Sequence, residues 1–171
     1  MNNLSFHITD ITANSIRANA SEIGLSVEEQ DTRIVIRITD NGLGMDAETA
    51  RRVTNPFYTT RTTRKVGLGL PFLIQNAEQT GGSVTLTSEP GKGTKVRAVF
   101  HSDHIDCPPW GDLPGTVALL ITGNPEINVY FEYRSGETGY SISTNEIKEI
   151  LDGVSLSHPK VMLLIKEMIK E

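Results

Sequence analysis

The chain has 171 residues, 37% of them hydrophobic and 22% charged, with a net charge of −5. That allows one domain with a real core, or one domain and a small addition, and the mildly acidic balance argues against general nucleic-acid binding, which rests on a basic face. The single cysteine, Cys107, excludes an intramolecular disulfide or a thiolate cluster. No apolar run approaches the roughly 18 residues of a membrane span. The opening MNNLSFHITD lacks the pattern of a signal peptide, so a cytoplasmic protein is expected.

Residues 4–20 carry Leu4, Ile8, Ile11, Ser15 and Ala18 at helical spacing and predict a first helix. EIGLSVEEQ and TRIVIRITD then read as a β-hairpin turning at Asp31. DNGLGM follows as a glycine-rich loop, and Asp46–Val53 reads as a short helix. Next comes NPFYTTRTTRKVGLGL, dense in hydroxyls and cations, before a helix over about 70–80 that Gly81-Gly82 stops. SVTLTSE and TKVRAVF form a second hairpin around PGKG. Residues 1–102 are therefore expected to make a two-layer α/β sandwich, with a mixed sheet and helices on one face.

The proline- and glycine-rich stretch over 103–115 reads as a linker or irregular crossover. Beyond it TVALLIT, INVYFEY and GYSIS are predicted as strands. Ser143 and Glu146 form a capping box for a short helix. Ser157 is expected to cap a last helix, whose Val161, Leu164, Ile165 and Met168 form one apolar stripe. Residues 116–171 are thus read as a small α+β appendage that binds or regulates a partner. The stripe either closes that appendage or joins two copies in a homodimer.

Four short features carry the chemistry. On the first helix His7, Asp10, Asn14 and Arg17 share a polar face beside the apolar stripe. Asp40-Asn41-Gly42-Leu43-Gly44-Met45 ends an apolar strand, where a carboxylate can accept from an exocyclic amine and glycines permit close approach. Gly67-Leu68-Gly69-Leu70-Pro71 opens a helix, whose free N–H groups suit phosphate. Gly91-Lys92-Gly93-Thr94 joins two strands. Alone, each could be an ordinary solvated face, turn or junction. A Walker A loop is excluded because Gly93 follows Lys92, and the chain has no G-x-G-x-x-G of the Rossmann or protein-kinase kind.

In this order the features resemble the histidine-kinase-like ATP-binding (GHKL, or Bergerat) family, which includes DNA gyrase, Hsp90 and MutL. DITANSIR is similar to the N box, DNGLGM to the first glycine box and NPFYTT to the F box. GLGLPFL and GKGTKV are similar to the second and third glycine boxes. The resemblance covers roughly residues 4–100 and implies that ATP and Mg²⁺ are bound between helices and lid. It implies that Asn14 holds Mg²⁺ and Arg17 reaches phosphate. Asp40 would read the adenine amine, with Gly44 and a water held by Thr94, beside Gly42 and Met45. Gly67, Leu68, Gly69 and Leu70 would cradle phosphates. Phe57 would anchor a short lid whose Thr60, Arg61, Arg64 and Lys65 meet the triphosphate. The tail resembles that of small stand-alone bacterial members.

Asp10 stands where ATPase branches carry a longer Glu, which predicts inefficient hydrolysis. No helical hairpin bearing a phospho-acceptor is expected before the N box, and His7 is read as a capping or surface residue. The expected activity is therefore transfer of the γ-phosphate to a His or Ser of a separate protein. A nucleotide-gated binding module and a slow ATPase switch are the competing readings. In the crossover, His101, His104 and Cys107 recur three apart and are read as hydrogen-bonded crossover residues ahead of metal ligands.

Overall fold

The structure, a computed structural model, describes residues 3–54 and 69–170. Helix α1 (Leu4–Arg17) begins where Asn3 accepts a hydrogen bond from the Phe6 N–H. Strands β1 (Glu22–Gln30) and β2 (Arg33–Asp40) form the first hairpin, and α2 (Ala47–Val53) is capped by Asp46. Helix α3 (Gly69–Gln79) leads into the second hairpin, β3 (Ser83–Glu89) and β4 (Gly93–His101). Helix α4 (Leu113–Thr122), β5 (Asn128–Ser135), β6 (Thr138–Ser143), α5 (Thr144–Leu151) and α6 (Pro159–Lys170) complete the order.

All the strands among the described residues lie in one six-stranded sheet, ordered β3-β4-β2-β1-β5-β6. The β1–β5 pair is parallel and the other pairs are antiparallel, so the sheet is mixed as expected. Alternation decides its faces. Ile23, Leu25 and Val27 of β1, with Ile34, Ile36 and Ile38 of β2, are buried toward the helices. Arg33, Arg37, Lys95 and Arg97 occupy the alternate positions on the opposite face.

Residues 113–122 correct the expectation of a strand at TVALLIT. Asp112 Oδ1 accepts from the Gly115 N–H at 3.0 Å, Pro114 sits in the first turn, and the run is helical. Val117, Ala118 and Ile121 are fully buried, with α4 packed between α1 and α6. A helix covered this broadly shows no amphipathic period, so its apolar run looks like a buried strand.

The C-terminal third is continuous with the sheet. Ile23 to Glu29 of β1 pair in register with Val129 to Ser135 of β5, and one apolar core extends from Leu4 to Ile169. The Ser143–Glu146 capping box forms as expected. Ser157 does not cap α6. Its hydroxyl pairs with Ser155, and His158 Nδ1 accepts the Lys160 N–H at 3.2 Å instead. The buried stripe of α6 is Val161, Ile165 and Ile169, while Leu164 faces solvent.

Candidate functional site

Helix α1, the β2–α2 loop, the start of α3 and the β3–β4 hairpin converge on a cleft of about 190 Å³. Ile11, Ile38, Val53, Leu70 and Val96 give it an apolar floor, and Asn14, Ser15, Arg17, Asp40 and Thr94 supply the polar edge. Such a mixture suits a flat heteroaromatic ring with a few directional contacts.

Asp40 ends β2, where the chain leaves the buried strand. Ser15 Oγ donates to its Oδ2 at 2.6 Å, and the Gly42 N–H donates to Oδ1 at 2.9 Å. Asn41 fixes the next residue by accepting from the Ser21 and Glu22 N–H groups, each at 2.9 Å. At its glycines the chain then passes too close to its neighbours to carry a side chain. A Cβ on Gly44, at φ +72°, would lie 1.9 Å from the Glu89 carbonyl oxygen. A Cβ on Gly42 would lie 2.6 Å from the Ala18 carbonyl oxygen, and one on Gly93 2.0 Å from that of Asp40. These glycines therefore let α1, the loop and the hairpin meet at the cleft.

Ser88 ties the hairpin to the loop. Its hydroxyl accepts the Met45 N–H at 2.8 Å, donates to the Gly93 carbonyl at 3.1 Å and lies 2.8 Å from Thr94 Oγ1. Neither Ser15 nor Ser88 stands out in the sequence. Ser15 reads as part of the apolar stripe, and the importance of Ser88 depends on its register with Thr94.

On α1 the expected polar face divides. Asn14 Oδ1 accepts a hydrogen bond from the Arg17 guanidinium at the cleft edge. Asp10 lies one turn earlier, against the start of α3, and a Cβ on Gly69 would come within 3.6 Å of its Oδ2. Burial raises the Asp10 pKa, and the nearby Arg17 charge partly opposes the rise.

His7 is neither a cap nor a surface residue. It is 2% exposed, packed at a tilt against Phe72 and Phe100, with Nε2 at 2.7 Å from Asn76 Nδ2. Position 7 follows Leu4 by three and precedes Ile11 by four, so it belongs to the buried stripe. With Asn76 donating, Nδ1 carries the proton and is a buried atom without a partner among the described residues. Burial lowers the His7 pKa to about 4.

The cleft thus brings together Asn14, Arg17, Asp40, Gly44, Met45, Leu70 and Thr94, with Gly42 behind Asp40 and Gly69 beside Asp10. Phe57, Thr60, Arg61, Arg64, Lys65, Gly67 and Leu68 lie outside the described residues. In the crossover, His104 Nδ1 accepts the Asp106 N–H and the Cys107 thiol faces the Pro108 carbonyl. Among the described residues no three His, Cys, Asp or Glu side chains are grouped to hold a metal.

Residues 3–104 match the histidine kinase-, DNA gyrase B-, and HSP90-like ATPase family, and the chain belongs to it. Membership makes this region an ATP-binding domain of the kinase-like ATPase kind. The sensor histidine kinase YxdK of Bacillus subtilis (strain 168) is 29% identical over 104 residues, 57% of this chain and 32% of that protein. The sensor kinase CckA of Brucella abortus (strain 2308) is 34% identical over 91 residues, 53% of this chain and 10% of that protein. Sporulation kinase E of Bacillus subtilis (strain 168) is 40% identical over 73 residues, 43% of this chain and 9% of that protein. The chain therefore spans no more than 32% of the length of these relatives. Among solved structures, the N-terminal domain of a DNA repair protein shares the fold, with a TM-score of 0.61 and 16% identity over 84% of this chain and 52% of that one. No helix among the described residues is long and apolar enough to cross a membrane.

Proposed function

We propose that the protein binds Mg²⁺-ATP and transfers the γ-phosphate to a His or Ser side chain of a separate protein. The supporting observation is Asp10. Its carboxyl lies between the Asn14 turn and the first residue of α3, in surroundings that raise its pKa. A raised pKa brings a carboxylate closer to that of a proton acceptor for an incoming nucleophile. The sensor and sporulation kinases among its relatives favour the same reaction class.

In this reading Asp40, held by Ser15 and Gly42, accepts the adenine amine. Arg17 reaches phosphate, and the N–H groups opening α3 receive phosphate oxygens. Asn14 would hold Mg²⁺, which would supply positive charge to neutralise the phosphates. One amide oxygen, with no carboxylate cluster among the described residues, fits an ion that keeps waters and phosphates as its other ligands. From the resemblance, the lid cations Arg61, Arg64 and Lys65 are assigned to the charge on the transferred group.

The reading is tested by incubating the protein and Asn14→Ala with Mg²⁺, γ-labelled ATP and fractionated cell extract. Label is expected on a His or Ser of a second protein with the wild type alone. Bound nucleotide whose label never leaves ATP would instead indicate a nucleotide-gated module. Free phosphate alone would indicate a slow ATPase.

A further inference from the structure

The helix-facing positions of β1 run Ile23, Leu25, Val27 and then Glu29. A carboxylate replaces the next apolar residue on that face. It borders a separate cavity of about 210 Å³ between the sheet and the C-terminal region, with Trp110, Tyr133 and Tyr140 around it and Leu113 and Ile169 on its apolar side.

The acid is held in place. Tyr133 donates its hydroxyl to Glu29 Oε2, and Trp110 Nε1–H points to Oε1 at 3.4 Å. The rings are held too: Tyr140 donates to the Ile169 carbonyl at 2.7 Å and lies 5.6 Å from the Tyr133 ring. The Trp110 carbonyl accepts both the N–H and the hydroxyl of Ser5, at 3.0 and 2.6 Å. Burial and the neighbouring Glu29 push the Tyr133 pKa up to about 12, so its hydroxyl stays a donor.

Neutral donors orient the Glu29 carboxylate without cancelling its charge. Among the described side chains, which do not include that of Lys170, no Lys, Arg or His nitrogen pairs with it. Aromatic rings beside a carboxylate attract cations. Glu29 and its three aromatic neighbours are all only half-buried, which leaves the cavity accessible.

We propose that this cavity is a binding site for a small alkylammonium cation, with Glu29 as the counter-ion and Trp110, Tyr133 and Tyr140 as the aromatic walls. It lies far from the nucleotide cleft. Ile23 pairs with Asp40, whereas Glu29 is six positions further along β1, roughly 20 Å at the rise of a strand. The proposal is therefore independent of phosphotransfer.

Trp110 is the only tryptophan, so its emission reports on this cavity. The experiment titrates the full chain at constant ionic strength with choline and n-butylammonium, and with 3,3-dimethylbutan-1-ol, the uncharged isostere of choline. A saturable change in emission is expected for at least one cation, about tenfold tighter than for the alcohol. Glu29→Gln should weaken the cation by about tenfold and leave the alcohol unchanged. Tyr133→Phe, which keeps the ring, should hold cation affinity within about threefold. Equal response to cation and alcohol, or no saturable response to either cation, overturns the proposal. An undiminished affinity in a folded Glu29→Gln does the same. The wild-type comparison decides the matter if Glu29→Gln does not fold.

Discussion

Ser15 Oγ donates to Asp40 Oδ2 at 2.6 Å, so a residue on α1 and one at the end of β2 are joined by a hydrogen bond at the cleft edge. With Gly42 on the other oxygen, the carboxylate is aimed before any ligand arrives. Asp40→Asn should therefore weaken ADP binding by about tenfold or more, and Ser15→Ala by about threefold. Isothermal titration with ADP measures both. Wild-type affinity in Asp40→Asn would remove Asp40 from nucleotide recognition.

The two glycines on either side of the hairpin contact should differ sharply. Gly44 and Gly91 both have positive φ, +72° and +79°, but only the first faces a backbone oxygen at 1.9 Å from an added Cβ. Gly44→Ala should cost about 3 kcal/mol or more, from strain plus displacement of the hairpin. Gly91→Ala has only the strain, about 1 kcal/mol. Urea unfolding of the two variants compares them directly, and equal losses would contradict the packing argument.

Acid should destabilise the fold through His7. Its pKa falls from 6.5 in the unfolded chain to about 4 in the folded one. Between these values the unfolded state takes up a proton that the folded state refuses. The stability it supports is complete above pH 6.5 and is lost as pH falls toward about 4. The shift corresponds to roughly 3 kcal/mol or slightly more. Asp10, with a raised pKa, works in the opposite direction and offsets part of this. His7→Gln can still meet Asn76 but does not titrate, so its denaturant midpoint should fall less over that window. Parallel pH profiles for the two proteins would show that His7 charges freely in the folded state.

The C-terminal region is tied in by a buried side chain. Thr144 Oγ1 accepts the Val129 N–H at 2.9 Å, and both residues are fully buried. Thr144→Val keeps the shape and leaves that N–H unpaired, at a cost of about 1–3 kcal/mol. Thr144→Ser, which retains the oxygen, should recover most of the loss. Thermal unfolding of both variants would expose a purely steric role if valine were tolerated.

Local patterns were the readable part of this molecule. DNGLGM, GLGLPFL and GKGTKV each carry their meaning within a few residues, as do the two hairpins and the capping box. Features that depend on a distant partner were not readable in the same way. The helix over 113–122 looks like a strand because helices bury it on several sides. His7 looks exposed until α3 is placed against it, and Ser88 becomes significant only opposite Thr94. The same holds for β5, since no residue in INVYFEY announces that its partner is β1.

That last pairing has a consequence for how the chain is made. On a ribosome β1 emerges before its neighbour β5, with Gln30 and Asn128 separated by about a hundred residues of synthesis. Until then β1 is an open edge of the nascent sheet, able to recruit another chain. Its composition suits that interval: Glu22, Glu28 and Glu29 place charge along a strand that ends as an interior one. Charge of this kind disfavours the pairing of an open strand edge with another chain.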